Sequence, residues 1–186
     1  MKRFKLAVVA TLLVVSVAGV VEAQTLPINV YSQRDSRWSG HKMGSSGLTV
    51  ANYGCMMACL ASAYRQTPGD LNRYLSANRG YTSGGLLDHN VAAKFDGAGG
   101  LVYVGSGSLP TTASSVGRGI QRGAVYVVRS SRPLGGAAHW VLVYQVTGGQ
   151  TYYMDPWDGT TRRVGAVESN NQVWVKYGAE ARIYSF

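Results

Sequence analysis

The chain has 186 residues, a formal charge of +9 at pH 7 and two cysteines. Hydrophobic residues make up 46% and charged residues 15%, which supplies a core and excludes an intrinsically disordered chain. The length fits one domain of ordinary size and excludes a small disulfide-stapled protein. The 24 glycines follow no triplet period, which excludes collagen and predicts many tight turns.

The first 23 residues have the pattern of a secretory signal peptide. Lys2, Arg3 and Lys5 precede an apolar run over residues 6–21, and small residues lead to a cleavage point after Ala23. The run is shorter than the roughly 20 residues of a membrane-spanning helix, so an uncleaved anchor is the weaker alternative. Cleavage removes three basic residues and one acidic residue, and it leaves 163 residues with a charge of +7. The sequence therefore predicts a secreted or periplasmic protein with no stable membrane span.

Basic residues of the remaining chain are scattered, and only Arg162 and Arg163 are adjacent. This scatter argues against a nucleic-acid-binding stripe, so no nucleic acid partner is expected. The positive charge has two interpretations that stay open. In the first it forms an ordinary solvated surface, and in the second it attracts the protein non-specifically to anionic cell-surface polymers.

Four helices are predicted in the first two thirds of the chain. Residues 54–64 are small or apolar nearly all round, which indicates a central buried helix capped by Asn52 or Gly54. Thr67, followed by proline and an acidic residue in the first turn, begins a second helix that ends near Asn78. Weaker patterns predict helices over 86–95 and over 114–121, the latter closed by Gly123.

The C-terminal third has the composition of a sheet, rich in Val, Tyr and Trp. Strands are predicted there over 124–128, 139–146, 151–155, 173–176 and 181–184. Residues 147–150 join two of them as a tight hairpin. Two further strands are predicted earlier in the chain, over 26–31 and 101–104. Helices first and strands afterwards indicate an α+β fold in one domain over residues 24–186, with N-terminal helices packed on a C-terminal antiparallel sheet.

Cys55 lies at the predicted start of the central helix, directly after Gly54. A thiolate at this position is stabilised by the positive end of the helix dipole, and neighbouring backbone N–H groups are available to stabilise an oxyanion. Cys59 lies one turn deeper and fits a buried, inert cysteine. A disulfide between the two has poor geometry on one helix, and no further ligand spacing completes a metal site. The sequence therefore predicts no metal and no cofactor.

His139 opens an apolar strand directly after a run of glycine and alanine. Asp155 closes the next strand, so the two residues are expected side by side at the open end of a 17-residue hairpin. An acid beside the imidazole orients it and stabilises its charged form, as in a Cys-His-Asp triad. His41 and His89 fit surface or structural roles, and Asp158 fits a turn cap.

Five segments together resemble the secreted, stand-alone relatives of the double-glycine (bacteriocin-processing) leader peptidases, which belong to the papain-like cysteine peptidase superfamily. The segments are 31–38, 53–58, 67–75, 139–143 and 155–156. The resemblance extends over nearly all of the chain after residue 23, with the segments in the same order. The resemblance implies a papain-like fold and thiol protease activity, with Cys55 as nucleophile, His139 as general base and then acid, and Asp155 as orienting residue. It also implies that the side-chain amide of Gln33 helps to stabilise the oxyanion.

Two other functions stay open beside a hydrolase that takes a peptide or protein substrate. A peptidoglycan amidase or a transamidase would use the same three groups, because both are acyl transfers. A non-catalytic protein that binds peptides or glycans would use the 12 tyrosines and four tryptophans as a stacking surface.

Overall fold

The computed structural model describes residues 23–95, 100–131, 138–167 and 174–186. Residues 1–22 of the predicted signal peptide lie outside this part of the chain. The elements in chain order are β1 (Gln24–Thr25), α1 (Val50–Tyr53), α2 (Cys55–Tyr64), α3 (Pro68–Ala77), α4 (His89–Ala92), β2 (Val102–Ser108), α5 (Ala113–Gln121), β3 (Ala124–Arg129), β4 (Trp140–Thr147), β5 (Gln150–Asp155), β6 (Thr160–Arg163) and β7 (Glu180–Ser185).

One antiparallel sheet forms the body of the described chain, in the strand order β2-β7-β3-β4-β5-β6, and β1 pairs with β4. The predicted α+β class with an antiparallel sheet is thus confirmed. The order of elements is less strict than expected, because β2 precedes α5 in the chain.

Helix α2 is the central helix that the sequence predicts. All ten of its residues are buried, and Gly54 is its N-cap. It packs on β3 and β4 and against α3. The cap of α3 is also as expected, since Thr67 Oγ1 accepts a hydrogen bond from the backbone N–H of Asp70. Asn52 lies inside the short helix α1, which the sequence pattern did not indicate.

Several predicted elements need correction. The strand expected over 26–31 is replaced by β1, and Leu26 adds one backbone hydrogen bond to Tyr144 before Pro27 removes a donor. The helix expected over 86–95 is only the single turn of α4. Residues 174–176 form no strand, while Val173 lies outside the described residues. Strand β6 is polar and exposed, so it lacks the apolar signal that the other strands give.

The sheet carries helices on both faces. Helix α5 packs on β1, β3 and β4, and Gly119 of this helix leaves room for the ring of Tyr126. Side chains alternate along a strand, so Val127 faces the other side together with its cross-strand partners Leu142 and Arg182. Helix α2 covers that second face. The candidate site lies at the edge of this interface, where α2 begins and β4 starts.

The turn between β4 and β5 is as tight as predicted. Only Gly148 and Gly149 separate the two strands, with φ angles of 54° and 73°. Left-handed backbone at both central positions matches the twist of the paired strands and favours glycine. Beyond the turn the register shifts by one residue between Val143 and Gln145, so that Leu142 pairs with Met154 and His139 lies near Asp155 at the open end.

Candidate active site

Cys55 is the first residue of α2, as the sequence predicts, and its Sγ lies 4.0 Å from the carbonyl oxygen of Ala138. One turn further, Cys59 Sγ lies 3.6 Å from the carbonyl oxygen of Trp140. Four helical residues and two strand residues both advance about 6 Å, so the helix and the strand stay in step. This match places the thiol of Cys55 beside the residue that precedes β4, which is His139.

Both cysteines are free thiols. Cys59 is fully buried, as expected for a structural residue. Burial, with smaller contributions from Cys55 and Asp155, raises the pKa of the Cys59 thiol well above its ordinary value. Cys59 is therefore held as a neutral thiol, and the two cysteines have different chemical environments although they lie one turn apart.

His139 and Asp155 lie side by side, which confirms the geometry predicted from the hairpin. The Nε2 of His139 is 2.7 Å from Oδ1 of Asp155, and both side chains are buried. The side chain of Cys55 lies close enough to the imidazole to contribute to the raised pKa of His139. Because Nε2 is taken by the carboxylate, Nδ1 is the ring nitrogen left for the thiol. The three predicted residues form one connected chain from Cys55 through His139 to Asp155.

His139 is held in its charged form. Burial alone lowers the pKa of this histidine, but hydrogen bonds to Asp155 and Cys55 and the charges of both groups raise it from 6.5 to about 9. At neutral pH the ring is therefore protonated, and it presents a positive charge to the sulfur of Cys55. An imidazolium in this position stabilises a thiolate and is ready to donate a proton.

The raised pKa of His139 predicts a pH-dependent contribution to stability. The pKa in the folded protein, about 9, exceeds the unfolded value of 6.5, so the contribution is complete below pH 6.5 and is lost as pH rises through 9. We expect the difference in unfolding free energy between wild type and His139→Gln to shrink over this range. Urea unfolding at a series of pH values measures it, with the exposed His41→Gln as control. A difference independent of pH would contradict the charged state of His139.

Asp155 has partners on every side. Its Oδ1 also accepts a hydrogen bond from the backbone N–H of Trp157, at 2.9 Å, and its Oδ2 pairs with Nη1 of Arg162, at 2.9 Å. Arg162 in turn pairs with Asp158 and lies over the ring of Trp174. Two cationic groups, the imidazolium and the guanidinium, thus share one fully buried carboxylate. This arrangement holds the carboxylate of Asp155 against His139.

Arg162 is the residue of this network that sequence reasoning missed. The sequence marked it only as one of two adjacent arginines, and it lies on β6, the strand with no apolar signal. Its spacing from Asp158 and Asp155 along a short hairpin was the available clue. Asp158 caps its turn as expected, since Oδ1 accepts a hydrogen bond from the N–H of Thr160.

Gln33 is fully buried, and its backbone N–H bonds to the carbonyl of Pro156, next to Asp155. Its side-chain Nε2 donates to the carbonyl oxygens of Ala51, at 2.8 Å, and Val50, at 3.4 Å. Both polar side-chain contacts are therefore with the backbone of α1. The role of Gln33 as an oxyanion donor stays a prediction.

One cavity of about 480 Å³ joins these residues, a volume within the range of small-ligand and peptide pockets. Its described lining includes Gln33, Cys55 and His139, the two methionines of α2, and the rings of Tyr53, Trp140 and Trp157. His89 and Arg182 also line it. No aspartate or glutamate belongs to this described lining, so its charged side chains, those of His139 and Arg182, are cationic.

The other two histidines have the roles that the sequence favoured. His41 is exposed in its loop. The ring of His89 stacks on Tyr103, and its Nδ1 lies 2.6 Å from the hydroxyl of Tyr184. Within the described residues no group of His, Cys, Asp and Glu is arranged to hold a metal ion.

No model of a known protein family matches the chain, and no curated protein matches it either. The helices of the described residues are all too short or too polar to cross a bilayer.

Proposed function

We propose that the protein is an exported, papain-like cysteine peptidase that hydrolyses peptide bonds. The observation that supports this most is the arrangement of Cys55 at a helix N-terminus, a buried and protonated His139 beside it, and the buried Asp155 that pairs with the histidine. Nucleophile, proton carrier and orienting carboxylate are the three parts of a thiol peptidase. The cavity beside them accepts a peptide of a few residues, and the predicted signal peptide would bring the protein out of the cytoplasm.

The reaction would proceed in two steps. The thiolate of Cys55 attacks the amide carbonyl, which forms an S–C bond, and collapse of the intermediate breaks the C–N bond as His139 gives its proton to the leaving amine. Neutral His139 then takes a proton from water while the oxygen attacks the thioester, and the sulfur leaves as thiolate. Asp155 keeps the imidazole oriented and stabilises its positive charge in both steps. The backbone N–H of Cys55, at the helix start, is available to the oxyanion.

Substitution of Gln33 distinguishes catalysis at a peptide carbonyl from the reactivity of the Cys55 thiol alone. If its amide donates to the oxyanion, Gln33→Ala lowers kcat for peptide cleavage by about 100-fold, the typical effect of losing one such donor. Alkylation of Cys55 forms no oxyanion and is expected to change little. Steady-state cleavage and iodoacetamide labelling of the same variant measure both quantities. Equal losses in the two assays would instead indicate that Gln33 only supports the fold through α1.

The proposed function is tested with a mixed peptide library, whose cut sites are read by mass spectrometry. Wild type and Cys59→Ala are expected to give the same new termini, whereas Cys55→Ala gives none. The Cys59 variant is a matched control, because it removes a thiol from the same helix. A library left intact by wild type, or cut equally by Cys55→Ala, would contradict the proposal.

The aromatic lining of the cavity supports the second candidate, a non-catalytic peptide- or glycan-binding protein. Cleavage in water enriched in oxygen-18 tests hydrolysis against transfer, the reaction of the amidase or transamidase alternative. Hydrolysis places the heavy oxygen in the new carboxylate, and transfer to an amine does not. Binding of library peptides without any conversion would favour the non-catalytic candidate.

A further inference from the structure

Arg182 is the one arginine in the described lining of the cavity, and the catalytic network does not use it. It lies on β7, on the sheet face that α2 covers, directly across from Val127. Its guanidinium lies over the ring of Trp140, 4.8 Å from the centroid, and its side chain is 21% exposed. Trp140 directly follows His139 in the chain. The cation is thus held beside the candidate catalytic centre and is partly shielded from water.

The charge of Arg182 is only partly balanced. Its Nη1 pairs with Oε1 of Glu180, at 2.7 Å, but Oε2 of the same carboxylate pairs with Arg129, at 3.0 Å. Two guanidinium groups therefore share one carboxylate, which leaves an excess positive charge at this end of the cavity. A guanidinium has five N–H donors, so Arg182 retains donors after its bond to Glu180.

The surroundings of Arg182 strengthen its attraction for an anion. The lining of the cavity in the described chain has no carboxylate to compete, and most of it is apolar. His89 also lines the cavity, and its Nδ1 forms a hydrogen bond with the hydroxyl of Tyr184. Burial and the charge of Arg182 lower the pKa of His89, so this histidine is neutral and adds no negative or positive charge at neutral pH. A low-dielectric pocket with one rigid, under-neutralised cation is a site for an anionic group.

We infer that Arg182 binds a carboxylate of the substrate, and that the enzyme prefers peptides with a carboxylate positioned at this end of the cavity. This inference rests on the proposed function, because it assigns the substrate class of the same site. The carboxylate comes from an acidic side chain or from the free C-terminus of a peptide. The stack on Trp140 and the bond to Glu180 restrict the guanidinium, and its remaining N–H groups are donors for either kind of carboxylate.

Peptide binding to the Cys55→Ala protein tests the inference without any turnover. The probes are fluorescent hexapeptides of one neutral sequence in three forms: amidated, with a free C-terminal carboxylate, and amidated with one Gln replaced by Glu at each position in turn. Fluorescence anisotropy gives Kd for each form. We expect one of the carboxylate forms to bind about tenfold more tightly than the neutral amide, the range of one charge-assisted contact.

Four further variants connect that preference to Arg182. Arg182→Gln is expected to remove it, whereas Arg182→Lys retains part of it and Arg118→Gln, on the exposed face of α5, leaves it unchanged. Glu180→Gln is expected to increase the preference, because it frees both guanidinium groups; a merely structural role for Arg182 gives no such increase. Which form binds best identifies the source of the carboxylate.

Equal affinity for all three forms, no binding of any form, or a preference that survives Arg182→Gln would overturn the inference. None of these outcomes would decide the proposed function, because alkylation of Cys55 in the wild-type protein is measured separately. If Cys55 reacts as an activated thiol while peptides show no charge preference, only the role of Arg182 is wrong.

Discussion

Iodoacetamide at neutral pH is expected to modify Cys55 about 100-fold faster than Cys59. The protonated His139 beside Cys55 stabilises the reactive thiolate, whereas Cys59 is fully buried and its pKa is raised well above the ordinary value of a thiol. Peptide mapping after timed labelling gives the two rates from one sample. The large ratio follows from the position of each thiol, because both belong to the same helix.

His139→Ala is the variant that connects this reactivity to the network. We expect it to reduce the Cys55 rate about 100-fold and to leave Cys59 unchanged, since only Cys55 loses a cationic neighbour. His41→Ala, at an exposed histidine, serves as control. Equal and slow modification of both cysteines in wild type would remove the basis for an activated nucleophile.

Asp155→Ala is expected to have the largest effect on stability of any substitution in the site, a loss of about 3 kcal/mol in the free energy of unfolding. The change removes a fully buried carboxylate that contacts His139, the backbone of Trp157, and Arg162. This loss is at the lower end of the range for breaking a buried ion pair, because Arg162 keeps its bond to Asp158.

Urea unfolding at pH 7 measures that loss, and Asp158→Ala is the matched control. Asp158 pairs with the same arginine but is 39% exposed, so its removal is expected to cost less than about 1 kcal/mol. Asp155→Asn keeps the volume and removes the charge, and it is expected to lower the pKa of His139, measured by NMR titration. Similar losses for the two alanine variants would show that Asp155 has no special place in the network.

The central part of the site was predictable because it depends on local signals. Glycine before Cys55 and an apolar run after it define a helix start, and two glycines define the turn that pairs the ends of β4 and β5. The one-residue register shift between Val143 and Gln145, by contrast, has no signal in the sequence. Hence the sequence predicts that His139 and Asp155 lie at the same end of the hairpin, whereas their exact alignment is visible only in the fold.

The parts that were not predicted depend on tertiary packing. Arg162 comes from a polar strand whose pairing with β5 is visible only in the fold. Arg182 reaches the cavity because β7 inserts between β2 and β3, an order that chain position does not indicate. The partners of Gln33 likewise belong to α1, a helix of four residues with too short a pattern to recognise.

The central claim, that Cys55 forms a covalent acyl intermediate, is tested most directly by intact-mass measurement after acid quenching. Wild type is mixed with 4-nitrophenyl esters of capped amino acids, and samples are quenched over time. We predict a mass increase equal to the acyl group, located on Cys55, that forms and then decays; Cys55→Ala shows none, and His139→Ala forms it far more slowly. No adduct in wild type, or an adduct of equal size and rate in Cys55→Ala, would contradict the claim.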